Sequence, residues 1–437
     1  MKQKQAQSQN VPKWITEKGT IDEVAFCQEF RRTHDLICDH GKFYSEEGCV
    51  TDEFPLRQDI YCLIAPYVAS HVQQRVDQLM ATLRLDCGNM TLQDSETAIH
   101  VANGTLYPDG TFFPSKRYCR HRLKVKYDPD ATISPLWLSF LEDLLEQEDI
   151  LTLQEFMGYC LLPTTIAQKM LLLVGQGGEG KSRIGVVMKA IFGDAMANGS
   201  LSKVETNRFA RADLEHLLVM VDDDLKMDAL PDTNYIKTII TAETPMDLER
   251  KGQQSYQGKL NVRFMAFGND CLQALHDRSM GFFRRQIILT TKPIRPDRGT
   301  DPFLGMRLRE EADGIFLWCF QGLQRLMLQD FQFTLSQKTR DNMAESIARG
   351  NNVVDFMQSE GYILFDPEFS TSSRKLYYVY RDWCEDNNLP ALAPNTFLNY
   401  LIQHSHNYHL RYSKNIAIGD GRMVRGFRGI RVNNRYL

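Results

Sequence analysis

Several things are scarce in this 437-residue chain, and each scarcity narrows what it can be. No apolar run approaches the roughly 18 to 20 residues that a bilayer-crossing helix needs. The first residues, MKQKQAQSQNVPKW, lack the apolar core of a secretory leader. The ten cysteines are scattered singly, with no C-x-x-C pair and no histidine cluster beside them, which argues against a structural metal or a disulfide framework. Reduced thiols and a cytoplasmic location are expected. A large excess of one charge sign is missing too: 51 Lys and Arg stand against 55 Asp and Glu, a formal net charge of −4. No global basic field announces a nucleic-acid partner, so such binding has to come from local patches. Internal repeats and long low-complexity tracts are likewise absent from the sequence.

What is present is a globular composition, 43% hydrophobic and 24% charged, long enough for two or three cores. Residues 1–18 read as a flexible, Gln-rich leader. Residues 19–165 read as a helical domain with a small β element. Its helical periodicity shows in EVAFCQEFRRTHDLI, in IYCLIAPYVASHVQQRVDQLMATLRL and in PLWLSFLEDLLEQEDILTLQEFMGYCLL. Between the first two lies a turn-rich hairpin candidate, CDHGKFYSEEGCVTDEF, and before the third an alternating strand candidate, HRLKVKY. Residues 166–335 alternate apolar strands (MLLLV, HLLVMV, VRFMAFG, RRQIILTT) with helices, the signature of an α/β domain with a mainly parallel sheet. A polar connector, 336–352, leads to a last domain, 353–437.

The chemistry concentrates in the α/β block. Gly175 to Ser182, GQGGEGKS, fits G-x-x-x-x-G-K-[ST], with a strand before it and an amphipathic helix after it. In such a P-loop, Gly175, Gly177, Gly178 and Gly180 let backbone N–H groups close on the β- and γ-phosphates of ATP, and Glu179 and Arg183 flank them. Lys181 neutralises phosphate oxygens and Ser182 ligates Mg²⁺. About forty residues on, VMVDDD puts carboxylates at a strand end, with Asp222 expected to hold the metal and Asp223 to orient or deprotonate the attacking water. Asp224 competes for that register. Asn269, directly after VRFMAFG, is expected to sense the γ-phosphate or the water. Arg284 and Arg285, just before RRQIILTT runs into its strand, both fit an arginine finger given to a neighbouring subunit's site, which would require an oligomer.

These motifs, in this order, resemble the superfamily 3 helicases, most closely the poxvirus-type and phage or plasmid primase-helicase branch. GQGGEGKS matches motif A, VMVDDD motif B and FMAFGND motif C, while YIKTIITAETPMDLERKGQQSYQGKL resembles the B′ segment. Two departures stand out: Thr241-Ala-Glu-Thr replaces the usual Thr-Gly-Gly-Asp, and motif B carries three Asp in a row. The resemblance covers residues from about 25 to about 435. It implies an AAA+-like P-loop NTPase core, a preceding helical domain, a C-terminal winged helix and a ring, usually hexameric. Such a ring moves 3′ to 5′ on single-stranded DNA, here with any primase on a separate polypeptide.

In that frame Arg250, Lys251, Tyr256 and Lys259 of the B′ hairpin would meet single-stranded DNA, the cations on phosphates and the tyrosine on a base. The tail, RYSKNIAIGDGRMVRGFRGIRVNNRYL, carries seven Lys and Arg against one Asp. Its Arg422, Arg425 and Arg428 are candidates for gripping duplex phosphates. An ATP-switched origin-binding initiator without processive unwinding is the alternative. A small-molecule P-loop kinase would leave the strand-end Asn, the basic hairpin and the tail unexplained.

Overall fold

The computed structural model describes residues 11–88, 92, 97–225, 233–252, 254–269, 280–294, 299, 301–350, 352–387, 389, 391–417 and 423–433. The chain divides into two compact units, residues 1–342 and 343–437. No helix among the described residues is long and apolar enough to cross a membrane.

The first unit opens with helices whose ends follow local chemistry. The Asp22 side chain accepts from the Ala25 N–H (3.0 Å) and starts the helix Glu23–Phe30. The long helical pattern from Ile60 to Leu85 is two helices, Phe54–Ile64 and Val72–Asp86, because Pro66 between them cannot donate to the helical ladder. Phe26, Phe30, Ile60, Leu79 and Leu83 bury their apolar faces with Trp14 in one cluster. The turn-rich stretch between these helices forms an antiparallel meander of Ile37–Asp39, Lys42–Ser45 and Gly48–Cys49.

The HRLKVKY segment departs from expectation. It makes one bridge, Arg122 to His100, then bends at Lys124 and Val125 and forms no named strand. Its alternating burial comes from being pinned on two sides: Lys124 N–H donates to the Ile191 carbonyl and the Val125 carbonyl accepts from Ala102. The helices Pro135–Leu144, capped by Ser134 on the Trp137 N–H (2.9 Å), and Gln147–Tyr159 follow. They share one core with the strands of the α/β block, Trp137, Leu141 and Phe156 clustering with Leu171, Val221 and Ile287. Gln147–Tyr159 also meets the helix Ala312–Leu328 backbone to backbone. A Cβ on Gly158 would lie 2.4 Å from the Cys319 carbonyl oxygen, and one on Gly322 2.4 Å from that of Gln154.

At the centre of this unit is a five-stranded sheet: β1 (Met170–Val174), β2 (Met196–Asn198), β3 (Val219–Leu225), β4 (Arg263–Gly268) and β5 (Gln286–Thr290). All pairings are parallel and the spatial order is β5-β1-β4-β3-β2. Continuous apolar runs suit such strands, which are covered on both faces. Strand β2, three residues at the edge, carries too short a pattern to be read from sequence. The order sets β4 between β1 and β3, so the C-terminal ends of all three share one rim. Helix α1 (Ser182–Phe192) follows β1, α2 (Leu201–Thr206) follows β2, and α3 (Asn234–Thr241) precedes β4.

The polar connector is helical, Gln337–Gly350, with Ser336 Oγ accepting from the Thr339 N–H (2.9 Å). In the second unit the helices Ser373–Asp386 and Pro394–Gln403 pack on an antiparallel sheet of Ile363–Ser372, Met423–Val432 and Arg411–Ala417, in that spatial order. The first of these strands hides in the sequence because Pro367 interrupts it, at a point where its register with Met423–Val432 shifts. The tyrosines and tryptophan of Ser373–Asp386 are mainly core: Tyr380 is fully buried, and its hydroxyl donates to Asn352 Oδ1 (2.6 Å) and accepts from the Leu392 N–H (2.9 Å).

Candidate functional site

Strand β1 ends at Val174 and the chain turns back through a glycine-rich loop before α1 begins at Ser182. Gly177, Gly178 and Gly180 have φ of +102°, +86° and +101°, a region closed to most side chains. Gly175 is needed for space, since a Cβ there would lie 2.3 Å from Thr291 Oγ1 and 2.7 Å from Glu179 Oε1. Lys181 and Glu179 are buried inside the loop, with Lys181 Nζ 2.8 Å from Glu179 Oε2. Both Glu179 oxygens accept from the Gly177 N–H (2.9 and 3.0 Å). Burial alone would raise the Glu179 carboxyl, but the Lys181 ammonium and the loop N–H groups outweigh it and hold it below the ordinary carboxylate range. Ser182 is exposed at the start of α1, and Arg183 leans on Gly305, where an added Cβ would stand 2.9 Å from its Nη1.

The three aspartates of β3 separate into two environments. Asp222 is 5% exposed, and its Oδ2 accepts from the Leu201 N–H (2.9 Å) in the first turn of α2. Burial raises its pKa, partly offset by that N–H. Asp222 pairs with Ala266 while Leu225 pairs with Gly268, so β3 holds one residue more than β4 over this span. Such a bulge re-aims side chains. Here it accompanies the exposure of both Asp223 and Asp224, which line a cavity of about 440 Å³ with Gly177–Arg183, Phe267, Gly268 and Asn269. The exposed Ser182 hydroxyl and two carboxylates are hard oxygen donors of the kind Mg²⁺ takes.

Asn269 follows β4 directly and is exposed on the same rim, its Oδ1 3.9 Å from where a Cβ on Gly177 would stand. A wider cavity of about 770 Å³ shares Ser182 and Asp223 with this one and adds Lys124, Lys189 and Arg309. Arg284 and Arg285 lie at the other end of the sheet. They precede Gln286, which pairs with Met170 at the start of β1, whereas the cavity sits past the strand ends. The five residues of β5 set them roughly 17 Å from that rim at about 3.3 Å per residue. Within the chain, Arg285 donates to the Gly281 carbonyl, and the Arg284 carbonyl accepts from Lys169.

The hairpin Met246–Leu248 with Tyr256–Gly258 forms, and its Arg250 and Tyr256 are engaged within the chain. Arg250 pairs with Glu215 and donates to the His40 carbonyl (2.8 Å). The Tyr256 hydroxyl donates to Glu215 Oε2 (2.8 Å), and the ring lies under the Arg250 guanidinium, 5.1 Å away, and stacks on His40. Lys251 and Lys259 are exposed. Glu215 and His40 have no local signature that would have singled them out. Ala242 ends α3 at φ 36°, ψ 41°, a left-handed cap that glycine usually takes, at the place where the resemblance expects Gly. In the second unit Arg425 and Arg428 are exposed on Met423–Val432, and Arg422 lies outside the described residues.

Residues 173–285, the span holding the loop, β3 and β4, match the model of a family described as "Family of unknown function (DUF5906)". No curated protein matches the sequence. Among solved structures, the apo structure of the NrS-1 C terminal region (305–718) is 10% identical, with a TM-score of 0.50 over 94% of this chain and 100% of that one. A second, A-form apo structure of the same region is 11% identical, with a TM-score of 0.50 over 92% and 98%. At this identity the likeness is one of fold. It spans almost the whole chain, and the mixed α/β architecture with its parallel sheet is compatible with an NTPase-like fold.

Proposed function

We propose that the protein is an ATP-dependent DNA helicase of the superfamily 3 kind, acting in replication of a phage, plasmid or other mobile element. One observation carries this reading: the glycine-rich loop, Ser182, the Asp223 and Asp224 carboxylates and Asn269 converge on a single cavity at the C-terminal ends of adjacent parallel strands. Ligands of open α/β sheets collect there. The loop N–H groups and Lys181 hold the β- and γ-phosphates of ATP. Bound Mg²⁺ supplies charge neutralisation at the phosphate oxygens. Ser182 and one of Asp223 and Asp224 would hold that ion, and the other carboxylate would accept a proton from the attacking water. Asn269 donates to the γ-phosphate or orients the water. Asp222 acts one step back, fixing α2 to the strand that carries the other two.

Arg284 and Arg285 stand too far from the cavity of their own chain to act in it, which fits an arginine supplied to a neighbour in a ring. Lys251 and Lys259 would track the DNA backbone. The alternative, an ATP-switched initiator that binds an origin without processive unwinding, draws on a specific observation: Arg250 and Tyr256 are tied to Glu215, while Arg425 and Arg428 are exposed.

The test mixes two variants, Lys181→Ala and Arg285→Ala, and follows both ATP hydrolysis and strand separation on a duplex with a 3′ single-stranded tail. A shared site predicts two inactive variants whose mixture regains part of the hydrolysis, and a wild type that separates strands. Wild-type hydrolysis without strand separation, coupled to tight duplex binding, would move the initiator ahead.

A further inference from the structure

The loop that should receive a phosphate already holds an anion of its own. Glu179 is 2% exposed, both its oxygens accept from the Gly177 N–H, and Lys181 Nζ lies 2.8 Å from Oε2. Those are the donor types that a phosphate oxygen takes, one loop amide and one ammonium. The carboxylate is set deep in the turn, 2.7 Å from the place of a Cβ on Gly175. The one Gly177 N–H cannot serve both a phosphate and this carboxylate, and the Lys181 ammonium, although it has three N–H donors, cannot give its full charge to each.

We infer that Glu179 is an internal competitor for the terminal phosphates of the ligand, so that a nucleotide binds only by expelling the carboxylate from Gly177 and Lys181. This rests on the phosphate-binding reading of the loop and reverses the role that position in the motif suggests for Glu179, from ligand contact to rival. The rivalry has a consequence for selectivity. A ligand must bring enough phosphate charge to displace a buried, doubly hydrogen-bonded carboxylate, so triphosphates pass where adenosine gains nothing from the exchange. The apparent affinity of the wild type is lowered by the fraction of molecules in which Glu179 holds the donors.

The contact also has a stabilising side, because a buried ammonium left without its partner costs more than the pair. Removing the carboxylate should therefore move two readouts in opposite directions. A residue that only shapes the loop would lower both.

The experiment uses the full chain as wild type, Glu179→Gln, Glu179→Ala and Lys181→Ala, with Mg²⁺ and ATP titrated by calorimetry, adenosine as the uncharged control, and thermal melting without and with ATP. The expected result is that Glu179→Gln and Glu179→Ala melt lower than wild type without ATP. They should bind ATP roughly three- to tenfold tighter and gain more in melting temperature on adding it. Adenosine affinity should be unchanged. Equal or weaker ATP binding by both Glu179 variants, with wild-type binding that Lys181→Ala abolishes, would overturn the competitor role while leaving the phosphate site standing. Absence of ATP binding by wild type and by every variant would remove both.

Discussion

Two regions of the first unit carry side chains of a ligand-binding kind, and they differ in where those side chains end. On the rim of the parallel sheet, Ser182, Asp223, Asp224 and Asn269 line one cavity. In the Met246–Gly258 hairpin, Arg250 and Tyr256 turn back onto Glu215 and His40. The rim is built from strand ends held in parallel register by apolar runs, so polar residues at or just past the ends of the neighbouring strands β1, β3 and β4 meet at one crevice. A two-stranded hairpin has little core and is steadied by whatever its polar residues reach. Charge in a rim motif therefore says more about function than equal charge in a hairpin.

The sharpest way to break this contrast is at the rim. Lys181→Ala should lower ATP hydrolysis by more than about a hundredfold, measured at saturating ATP. Next in size, Asp223→Asn and Asp224→Asn should each lose about a hundredfold or more in turnover, as expected for a metal carboxylate or a general base. Asp222→Ala should behave differently. It should keep more turnover than either and lose about 1–2 kcal/mol in denaturant unfolding, through the orphaned Leu201 N–H in α2. Equal loss of turnover in all three would return Asp222 to the metal.

The hairpin side is tested by Glu215→Gln, which leaves Arg250 and Tyr256 without their carboxylate. It should cost about 2–4 kcal/mol of stability and tighten single-stranded DNA binding several-fold in a fluorescence titration at fixed salt. Unchanged DNA binding would show that those two side chains belong to the fold alone. In the second unit, Arg425→Ala and Arg428→Ala should each weaken duplex binding across sequences and reduce the slope of log K against log salt by about 1. The smallest effect is expected at the end of α3. Ala242→Gly should stabilise by about 0.5–1 kcal/mol, because glycine accepts the left-handed cap without strain.

Legibility in the sequence followed the range of the interactions. The loop from Gly175 to Ser182 was readable because its positive φ values demand glycine locally, and β1, β3, β4 and β5 were readable as apolar runs. The different placement of Asp222, Asp223 and Asp224 was not, because it depends on a bulge against β4 some forty residues away and on the N–H of Leu201. HRLKVKY misled for the same reason: alternating burial can be imposed by a neighbouring helix as well as by a ladder. Glu215 and His40 are ordinary residues in sequence and become decisive through contacts with Arg250 and Tyr256. The strand Ile363–Ser372 was masked by its own Pro367.

The central claim is that the rim cavity hydrolyses ATP in service of DNA. It is tested most directly by steady-state ATP hydrolysis of the full chain, with and without single-stranded DNA, for wild type and Lys181→Ala. The account predicts Mg²⁺-dependent hydrolysis that DNA stimulates in the wild type and that is lost in the variant under both conditions. Hydrolysis that survives Lys181→Ala, or a wild type with none at all in the presence of DNA, would contradict it.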